Sequence, residues 1–245
     1  MPIASTQAFV LGSSPFKEQD RLIHLLTVDK GILKAMAPGS LKFKNRFGSL
    51  FELFTEGEFH YYWQENRELV TISKGEVIHS YFNIVSDPRN IFYFYLVADV
   101  FLRFIPFNQR DNRLYRLLHT ILTHRRAGVE MNLLLLYFLL WVLRIEGMMF
   151  NPGTCYNCYA KNIRQAWFKE DFRGILCQNC KTNETLMLLE EDLHFIKWTE
   201  RNSPQELEKW KEKIDTSKLI RFFTRKIEYH GECSIKSSQY LAEFR

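Results

Sequence analysis

The chain has 245 residues, of which 46% are hydrophobic and 25% charged, and this composition excludes a wholly disordered protein. Lys and Arg outnumber Asp and Glu by 33 to 28, and this excess of +5 is too small to indicate a nucleic-acid partner by itself. The longest apolar run, 133–143, is shorter than the roughly 20 residues that cross a bilayer, and residues 1–7 show no secretory signal pattern. We therefore expect a cytoplasmic protein without a membrane segment.

The first 80 residues predict a small β-barrel. They are rich in Val, Ile, Thr, Phe and Tyr and are interrupted by turn residues at short intervals. Five strands are predicted, at 8–11, 22–28, 32–37, 50–63 and 69–80. Asp29-Lys30-Gly31, between two apolar runs, is typical of a hairpin turn. Five short strands favour an OB-fold, although periodicity alone does not separate an OB-fold from an SH3-like barrel.

The pattern of apolar residues becomes helical after residue 88. Helices that are amphipathic, or apolar nearly all round, are predicted at 91–104, 111–124, 130–146 and 218–229. Gly147 follows the third of them and is a suitable C-terminal stop. Ser203-Pro204 predicts the start of a further helix, because Ser is a common N-cap residue and Pro is favoured at the first helical position.

Four of the five cysteines form two close pairs with the same internal spacing. They are Cys155-x2-Cys158 and Cys177-x2-Cys180. Two residues between cysteines allow one tight turn to direct both sulfurs at a single point, and a second such turn completes a tetrahedral Zn²⁺ site. The spacing matches the four-cysteine zinc pattern. We predict a structural Zn²⁺ ion, because four thiolates leave no open position for catalysis.

The residues between the two cysteine pairs are compatible with a zinc ribbon, since 167–168 and 174–176 can form its small hairpin. The alternative interpretation is two unrelated pairs of thiols. Cys233 lies outside the spacing pattern, and we interpret it as a single thiol with no part in the site.

Residues 30–46 form a basic segment that contains no acidic residue. The predicted DNA-binding side chains are Lys30, Lys34, Lys42, Lys44 and Arg46. Phe43 and Phe47 are interleaved with them, and nucleic-acid-binding surfaces combine cations for phosphates with aromatic rings for unpaired bases. The alternative is a solvated loop. For either phenylalanine alone, packing into the barrel is the preferred interpretation.

Two further basic stripes are weaker candidates for a binding surface. They are Arg110, Arg113 and Arg116 on the polar side of one predicted helix, and Lys218, Arg221 and Arg225 on a later one. A solvated helix face is the alternative interpretation of each stripe. The sequence contains no phosphate-binding glycine loop, dinucleotide-binding motif, zinc-protease motif or nucleophile elbow, so a binding protein is favoured over an enzyme.

Several short motifs occur in a characteristic order along the chain. Asp20-Arg21-Leu22 begins a predicted strand that ends in Thr27, and the next strand starts at Gly31-Ile32-Leu33. The cysteine module has Gly174 shortly before its third cysteine, and Tyr229-His230-Gly231 stands near the end of the chain. In this order the sequence resembles the bacterial RecO family of recombination-repair proteins over nearly its whole length. It departs at 37–40, where members usually have a more basic turn.

The resemblance and the residue patterns together imply an α+β, multi-domain protein. We expect an OB-fold DNA-binding domain at 1–80 and an α-helical domain at 81–245, with a zinc-ribbon-like module inserted at 151–185. The resemblance implies a mediator of the RecF pathway that binds single- and double-stranded DNA and anneals complementary strands. It also implies that the protein pairs with RecR and, in the nucleoid, helps RecA replace single-stranded DNA-binding protein, with RecF as an indirect partner. Some members of the family lack the cysteines, which favours a structural role for zinc.

The resemblance further implies binding to the acidic C-terminal tail of single-stranded DNA-binding protein. A tail of this kind, ending in an apolar residue, requires an apolar groove with a basic rim, and we place Arg110, Arg113 or Arg116 at that rim as a hypothesis. Three alternatives stay open at the level of sequence. They are a zinc-ribbon or OB-fold nucleic-acid-binding factor of transcription or RNA metabolism, an enzyme with an unrecognised carboxylate or zinc site, and a structural adaptor.

Overall fold

The structure is a computed structural model, and it describes residues 3–64, 68–168, 172–181 and 186–242. The chain groups into two compact units, Met1–Leu122 with Gln239–Arg245, and Thr123–Ser238. The helical residues up to Leu122 therefore belong to the same compact unit as the N-terminal strands. The predicted domain boundary between residues 80 and 81 stays a prediction.

The described residues of the first unit form a closed barrel of five strands, which confirms the predicted fold class. The strands are β1 (Ile3–Phe16), β2 (Asp20–Thr27), β3 (Gly31–Ala37), β4 (Glu56–Tyr62) and β5 (Leu69–His79). They neighbour one another in the order β1-β2-β3-β5-β4, with β4 closing onto β1. The β3–β5 pair is parallel and the other pairs are antiparallel. This crossover closure is that of an OB-fold, which strand spacing alone left open.

The barrel closes because alternate side chains of its strands are apolar and point inwards. On β4, Phe59 and Tyr61 are buried, whereas Glu58 and Tyr62 are exposed. Such burial contributes about 25 cal/mol for each Å² of apolar surface removed from water. Phe9 on β1 lies outside this interior cluster but is also fully buried.

Helices cover one side of the barrel in the first unit. They are α1 (Phe82–Val85), α2 (Ile91–Phe104) and α3 (Asn112–Arg126), the last of which extends beyond the unit boundary at Leu122. The ring of Tyr115 on α3 lies 4.8 Å from that of Phe9, centroid to centroid. The sequence predicted the bounds of α2, because its apolar run is bracketed by polar residues and by Pro106.

The predicted strand at 50–63 begins too early. Residues 50–54 form turns, and β4 begins only at Glu56. Leu50 is apolar because it packs into the barrel core, and the ring of Phe54 lies 5.8 Å from that of Phe94 on α2. Burial selects apolar residues in a loop as it does in a strand, so the pattern alone does not separate the two.

The second unit is built around a helix that is buried nearly all round. Its described elements are α4 (Met131–Ile145), β6 (Ala166–Phe168), β7 (Ile175–Leu176), β8 (Leu186–Leu188), α5 (Glu190–Trp198) and α6 (Thr216–Gly231). The predicted helices at 130–146 and 218–229 correspond to α4 and α6. Gly147 adopts a positive φ of 70°, as expected of a helix stop.

The helix predicted from Ser203-Pro204 is a short 3₁₀ helix, Pro204–Trp210, and the Ser203 side chain makes no capping hydrogen bond. Pro204 and Leu207 are buried and Trp210 is half-buried, which is a spacing of three residues. A spacing of three residues matches the three residues per turn of a 3₁₀ helix. The burial of these side chains therefore favours a 3₁₀ helix over the α-helix that Ser203-Pro204 predicted. A second 3₁₀ helix spans Lys236–Ala242. Among the described residues, no helix is both long and apolar enough to cross a membrane.

Candidate functional site

The four predicted ligands lie together in a cysteine cluster, Cys155, Cys158, Cys177 and Cys180. Their Sγ atoms are all within 4.8 Å of one another, and those of Cys158 and Cys177 are 3.7 Å apart. A tetrahedral site with Zn–S bonds of about 2.3 Å places its sulfurs about 3.8 Å apart. The cluster therefore has the dimensions to hold a metal ion.

Backbone turns at the two cysteine pairs direct the sulfurs toward one point. The Tyr159 N–H donates to the Cys155 carbonyl, and the Cys180 N–H donates to the Cys177 carbonyl, both at 3.0 Å. Two further donors reach sulfur. The Cys177 N–H lies 3.4 Å from the Cys155 Sγ, and the Asn157 side-chain amide lies 3.5 Å from the Cys180 Sγ. Such donors stabilise a thiolate, which is the form that binds metal.

Opposing influences act on the pKa values of two of these thiols. Burial disfavours ionised Cys155, but backbone N–H groups of Cys158, Cys177 and Asn157 outweigh it and lower the pKa of that thiol to about 6. For exposed Cys158, a backbone hydrogen bond from Ala160 favours ionisation, but hydrogen bonds with the other three thiols raise the pKa to about 12. Four neighbouring thiolates repel one another, so all four ionise together only around a cation.

The predicted hairpin between the cysteine pairs is present. β6 and β7 pair antiparallel with Trp167 opposite Leu176, and β8 adds a third strand on the other edge of β6. Cys155, Trp167 and Leu176 form a small buried cluster against which Cys177 and Cys180 pack. Gly174 is needed for this packing, because a Cβ added there would lie 2.8 Å from the Cβ of Tyr156.

A buried lysine on α6, Lys226, supports the same module. Its side chain is 1% exposed, and its Nζ donates to the Phe172 carbonyl at 2.6 Å and lies 3.0 Å from the Nε2 of His230. In the sequence Lys226 is one of several basic residues on this helix, and nothing in the local pattern distinguishes it from its exposed neighbours. Only packing shows that it contacts the segment before Gly174.

The second candidate feature is the basic loop, residues 38–55, which links β3 to β4. Its first part is held to the turn between β1 and β2 and to the start of β2. The Gly39 N–H donates to the Asp20 carboxylate at 2.8 Å, and the Leu41 N–H donates to the Gln19 carbonyl at 3.0 Å. Its second part is held by Phe47 and Leu50, which are buried in the barrel core. The loop is therefore fastened at both ends.

The tip of the basic loop carries Lys42, Phe43, Lys44 and Arg46, which are all exposed. Arg46 lies over the ring of Phe47, with its guanidinium carbon 4.8 Å from the ring centroid. Within the part of the chain that the structure describes, none of the three cations forms an ion pair with a carboxylate. The preferred packing interpretation holds for Phe47, which is buried, but not for Phe43, which is 99% exposed.

Lys30 and Lys34 lie apart from this tip and are engaged by aromatic residues. The Nζ of Lys30 donates to the Tyr61 hydroxyl at 2.7 Å, and that of Lys34 lies 4.4 Å from the centroid of the Phe107 ring. Phe107 also packs on His24, so it covers part of the outer face of β2 and β3. That face is a common oligonucleotide-binding surface in OB-folds, and here the exposed cations lie on the adjoining loop instead.

In the two weaker basic stripes, some members pair with a carboxylate and others do not. Arg113 is bonded to Asp111 by contacts of 2.6–3.0 Å, and Lys218 lies 3.1 Å from Asp192. The exposed members without a carboxylate partner among the described residues are Arg110, Arg116, Arg221 and Arg225. Arg110 precedes the start of α3, so the first stripe does not lie on a single helix as predicted. Cys233, which follows α6, is not part of the cysteine cluster.

Comparisons with known proteins agree with this arrangement. Residues 1–81 match the family model for the recombination protein O N terminal region, and residues 85–239 match that for the recombination protein O C terminal region. The chain belongs to the recombination protein O family.

Curated relatives are similar to this chain over most of its length. It is 25% identical over 182 residues to DNA repair protein RecO of Clostridium novyi, covering 74% of this chain and 70% of that protein. It is 27% identical over 179 residues to DNA repair protein RecO of Koribacter versatilis, covering 73% of each. The protein of that name from Caldanaerobacter subterraneus is 24% identical over 249 residues, with 98% of each chain covered.

Proposed function

We propose that this protein is a DNA-binding recombination mediator in DNA repair, and that the basic loop is its principal DNA contact. The observation that carries the proposal is the exposure of Lys42, Lys44 and Arg46 on a loop whose two ends are fastened to the barrel. Cations without a carboxylate partner can replace the counterions of a phosphate backbone, which is the main source of affinity in nucleic-acid binding. The relatives described above from Clostridium novyi and Koribacter versatilis are both named DNA repair protein RecO, which supports the same role.

The arrangement suits binding better than catalysis. The three cations lie on one loop beside the barrel, where they can follow successive phosphates of a single or a double strand. In this proposal Lys30 and Lys34 contact DNA less than the loop cations do, because their ammonium groups already interact with Tyr61 and Phe107, respectively. Annealing follows from the same chemistry, since neutralised phosphates allow two complementary strands to approach each other.

For the cysteine cluster we propose a structural Zn²⁺ ion bound by Cys155, Cys158, Cys177 and Cys180. Four thiolates are the usual donor set of structural zinc, and the sulfur separations fit it. When bound, the ion holds the two cysteine turns together through four coordinate bonds. The protein residues orient the sulfurs, and the three-stranded sheet and the hydrogen bond from Lys226 to the Phe172 carbonyl stabilise other parts of the same module.

Family membership extends the proposal to partners. We propose that the protein pairs with RecR, binds the acidic tail of single-stranded DNA-binding protein, and helps RecA replace that protein on DNA, with RecF acting indirectly. We propose that it works in the cytoplasm on the nucleoid, without an enzymatic step of its own. A nucleic-acid-binding factor of transcription or RNA metabolism is the competing function, and it has no reason to anneal DNA strands or to bind RecR.

The proposal is tested by reversing the three loop charges in the full-length protein, K42E/K44E/R46E. Fluorescence anisotropy with a labelled single-stranded oligonucleotide is measured across a salt series. We expect weaker binding and a smaller slope of log affinity against log salt, since each lost phosphate contact removes about 0.7–0.9 from that slope. The matched control is K197E/R201E/K236E, which makes the same change of charge at exposed positions elsewhere. Equal affinity and slope in the two variants would place the DNA site elsewhere.

A further inference from the structure

Phe43 is the most exposed large hydrophobic side chain among the described residues, with 99% of its surface accessible. The three other phenylalanines of the same loop behave differently, and one of them, Phe54, is fully buried. Phe47 is buried, Phe51 is partly buried, and their rings lie 4.9 Å apart against the barrel core. The loop therefore packs other aromatic rings against the barrel core, whereas the ring of Phe43 lies in solvent.

The backbone beside Phe43 is held in place by a network around Asn45. The Asn45 Oδ1 accepts hydrogen bonds from the N–H groups of Phe47 and Gly48 at 3.0 and 3.1 Å, and its Nδ2 donates to the Lys42 carbonyl at 3.4 Å. Lys42 in turn donates its N–H to the Gly39 carbonyl at 3.2 Å. Phe43 therefore stands on a turn that is formed before any ligand binds, which reduces the entropy lost on binding.

A single exposed apolar residue is common on protein surfaces and carries no meaning alone. Phe43, however, lies among exposed cations. Lys42 and Lys44 are its neighbours in the chain, and Arg46 follows two residues after Lys44. An aromatic ring between cations suits a polyanion that also offers flat apolar faces. Unpaired nucleic-acid bases have this combination, with phosphates spaced along the backbone and a stacking surface on every base.

We propose that Phe43 stacks on an unpaired base of single-stranded DNA while the flanking cations contact its phosphates, and that this ring makes the loop prefer single strands. The inference rests on the proposed function of the loop, and it assigns to Phe43 the discrimination between single-stranded and double-stranded DNA. In a duplex the base faces are covered by their neighbours, so the ring has nothing to stack on. The cations contact phosphates in either form, because phosphates carry no information about pairing.

The test compares F43A and F43W with the unaltered protein, using an oligothymidine and a duplex of the same length in anisotropy titrations. F43A is expected to weaken single-strand binding on the order of 5- to 100-fold, the usual loss for one stacked base, and to leave duplex binding unchanged. F43W is expected to restore single-strand binding, because tryptophan also presents a flat π face. The salt slope is expected to stay the same in both variants, since no phosphate contact is removed.

F43L provides the control for apolar contact without stacking, and it is expected to behave like F43A. If F43L binds the single strand as tightly as the unaltered protein, stacking is overturned. If F43A leaves single-strand affinity unchanged while K42E/K44E/R46E weakens it, the inference fails and the proposed function stands, and Phe43 then becomes a candidate contact for a protein partner. If neither variant weakens binding, the proposed role of the basic loop as the principal DNA contact also fails. The exposure of Phe43 means that these substitutions leave the melting temperature unaltered, which a thermal melt checks.

Discussion

The hydroxyl of Tyr115 on α3 donates a 2.5 Å hydrogen bond to the carboxylate of Glu56 at the start of β4. The second oxygen of this carboxylate lies 3.0 Å from the Nδ1 of His79 on β5, so both of its oxygens have partners. Burial, and then the hydrogen bond and negative charge of Glu56, raise the pKa of Tyr115 well above its usual value. The tyrosine therefore stays protonated and joins the helix to the barrel.

Replacing Tyr115 with Phe is expected to lower the free energy of unfolding by about 1–3 kcal/mol. The substitution keeps the ring that packs on Phe9 and removes only the donor, which leaves one oxygen of a buried carboxylate without a partner. Urea unfolding followed by circular dichroism measures the change. Y95F, at an exposed tyrosine of α2, is the control. An unchanged unfolding midpoint for Y115F would show that this bond does not stabilise the contact.

Replacing Cys177 with Ser is expected to release the metal and to lower the melting temperature, because a weaker oxygen ligand would replace one of four thiolates. Atomic absorption on the purified protein is expected to show one Zn²⁺ per chain before the substitution. C233S is the matched control, since Cys233 is not part of the cluster, and it is expected to retain the metal. Protein that holds no metal, or a different one, would contradict the zinc assignment.

Replacing Lys226 with Met is expected to lower the free energy of unfolding by about 1–3 kcal/mol, because the Phe172 carbonyl loses a charged donor. K213M, at an exposed position, is the control. Equal unfolding midpoints for the two variants would contradict a supporting role for Lys226.

Lys226 also affects how stability depends on pH. Burial, followed by the charge of Lys226, lowers the pKa of His230, so protonation of this histidine is less favourable in the folded chain. Its contribution to stability is therefore present above the unfolded-state pKa of about 6.5 and is lost as the pH falls. In K226M the pKa of His230 is expected to rise, and nuclear magnetic resonance titration of the imidazole measures it. A lower or unchanged pKa would show that the lysine does not act on this ring.

Reversing Arg110, Arg113 and Arg116 to Glu is expected to weaken binding of an acidic peptide that ends in an apolar residue. Arg113→Ala alone is expected to have the smallest effect of the three single alanine variants, because Asp111 already neutralises that guanidinium. Anisotropy with a labelled peptide measures each variant, and K197E/R201E/K236E again controls for net charge. Peptide affinity that is the same in the triple reversal and its control would place the acidic tail elsewhere.

Features that depend on neighbours in the chain could be predicted from the sequence. Two residues between cysteines determine a tight turn, which is why the clustering of the four cysteines could be predicted without a fold. The five-stranded barrel was also predictable, because alternation of apolar side chains is a local property. The start of β4 was not predictable from the sequence. Leu50 and Phe54 belong to a loop, and they are apolar because the loop packs them against the rest of the unit.

From the sequence alone one could predict the cysteine cluster, the order of barrel, helices and cysteine module, and the basic character of residues 30–46. Tertiary packing determined which of those cations stay exposed and which contact an aromatic ring, as Lys34 contacts Phe107. It also decided that Phe47 is buried while Phe43 is exposed, and that Lys226 is buried. The physical reason is that spacing along the chain sets local geometry, whereas burial and pairing depend on which distant segments pack together.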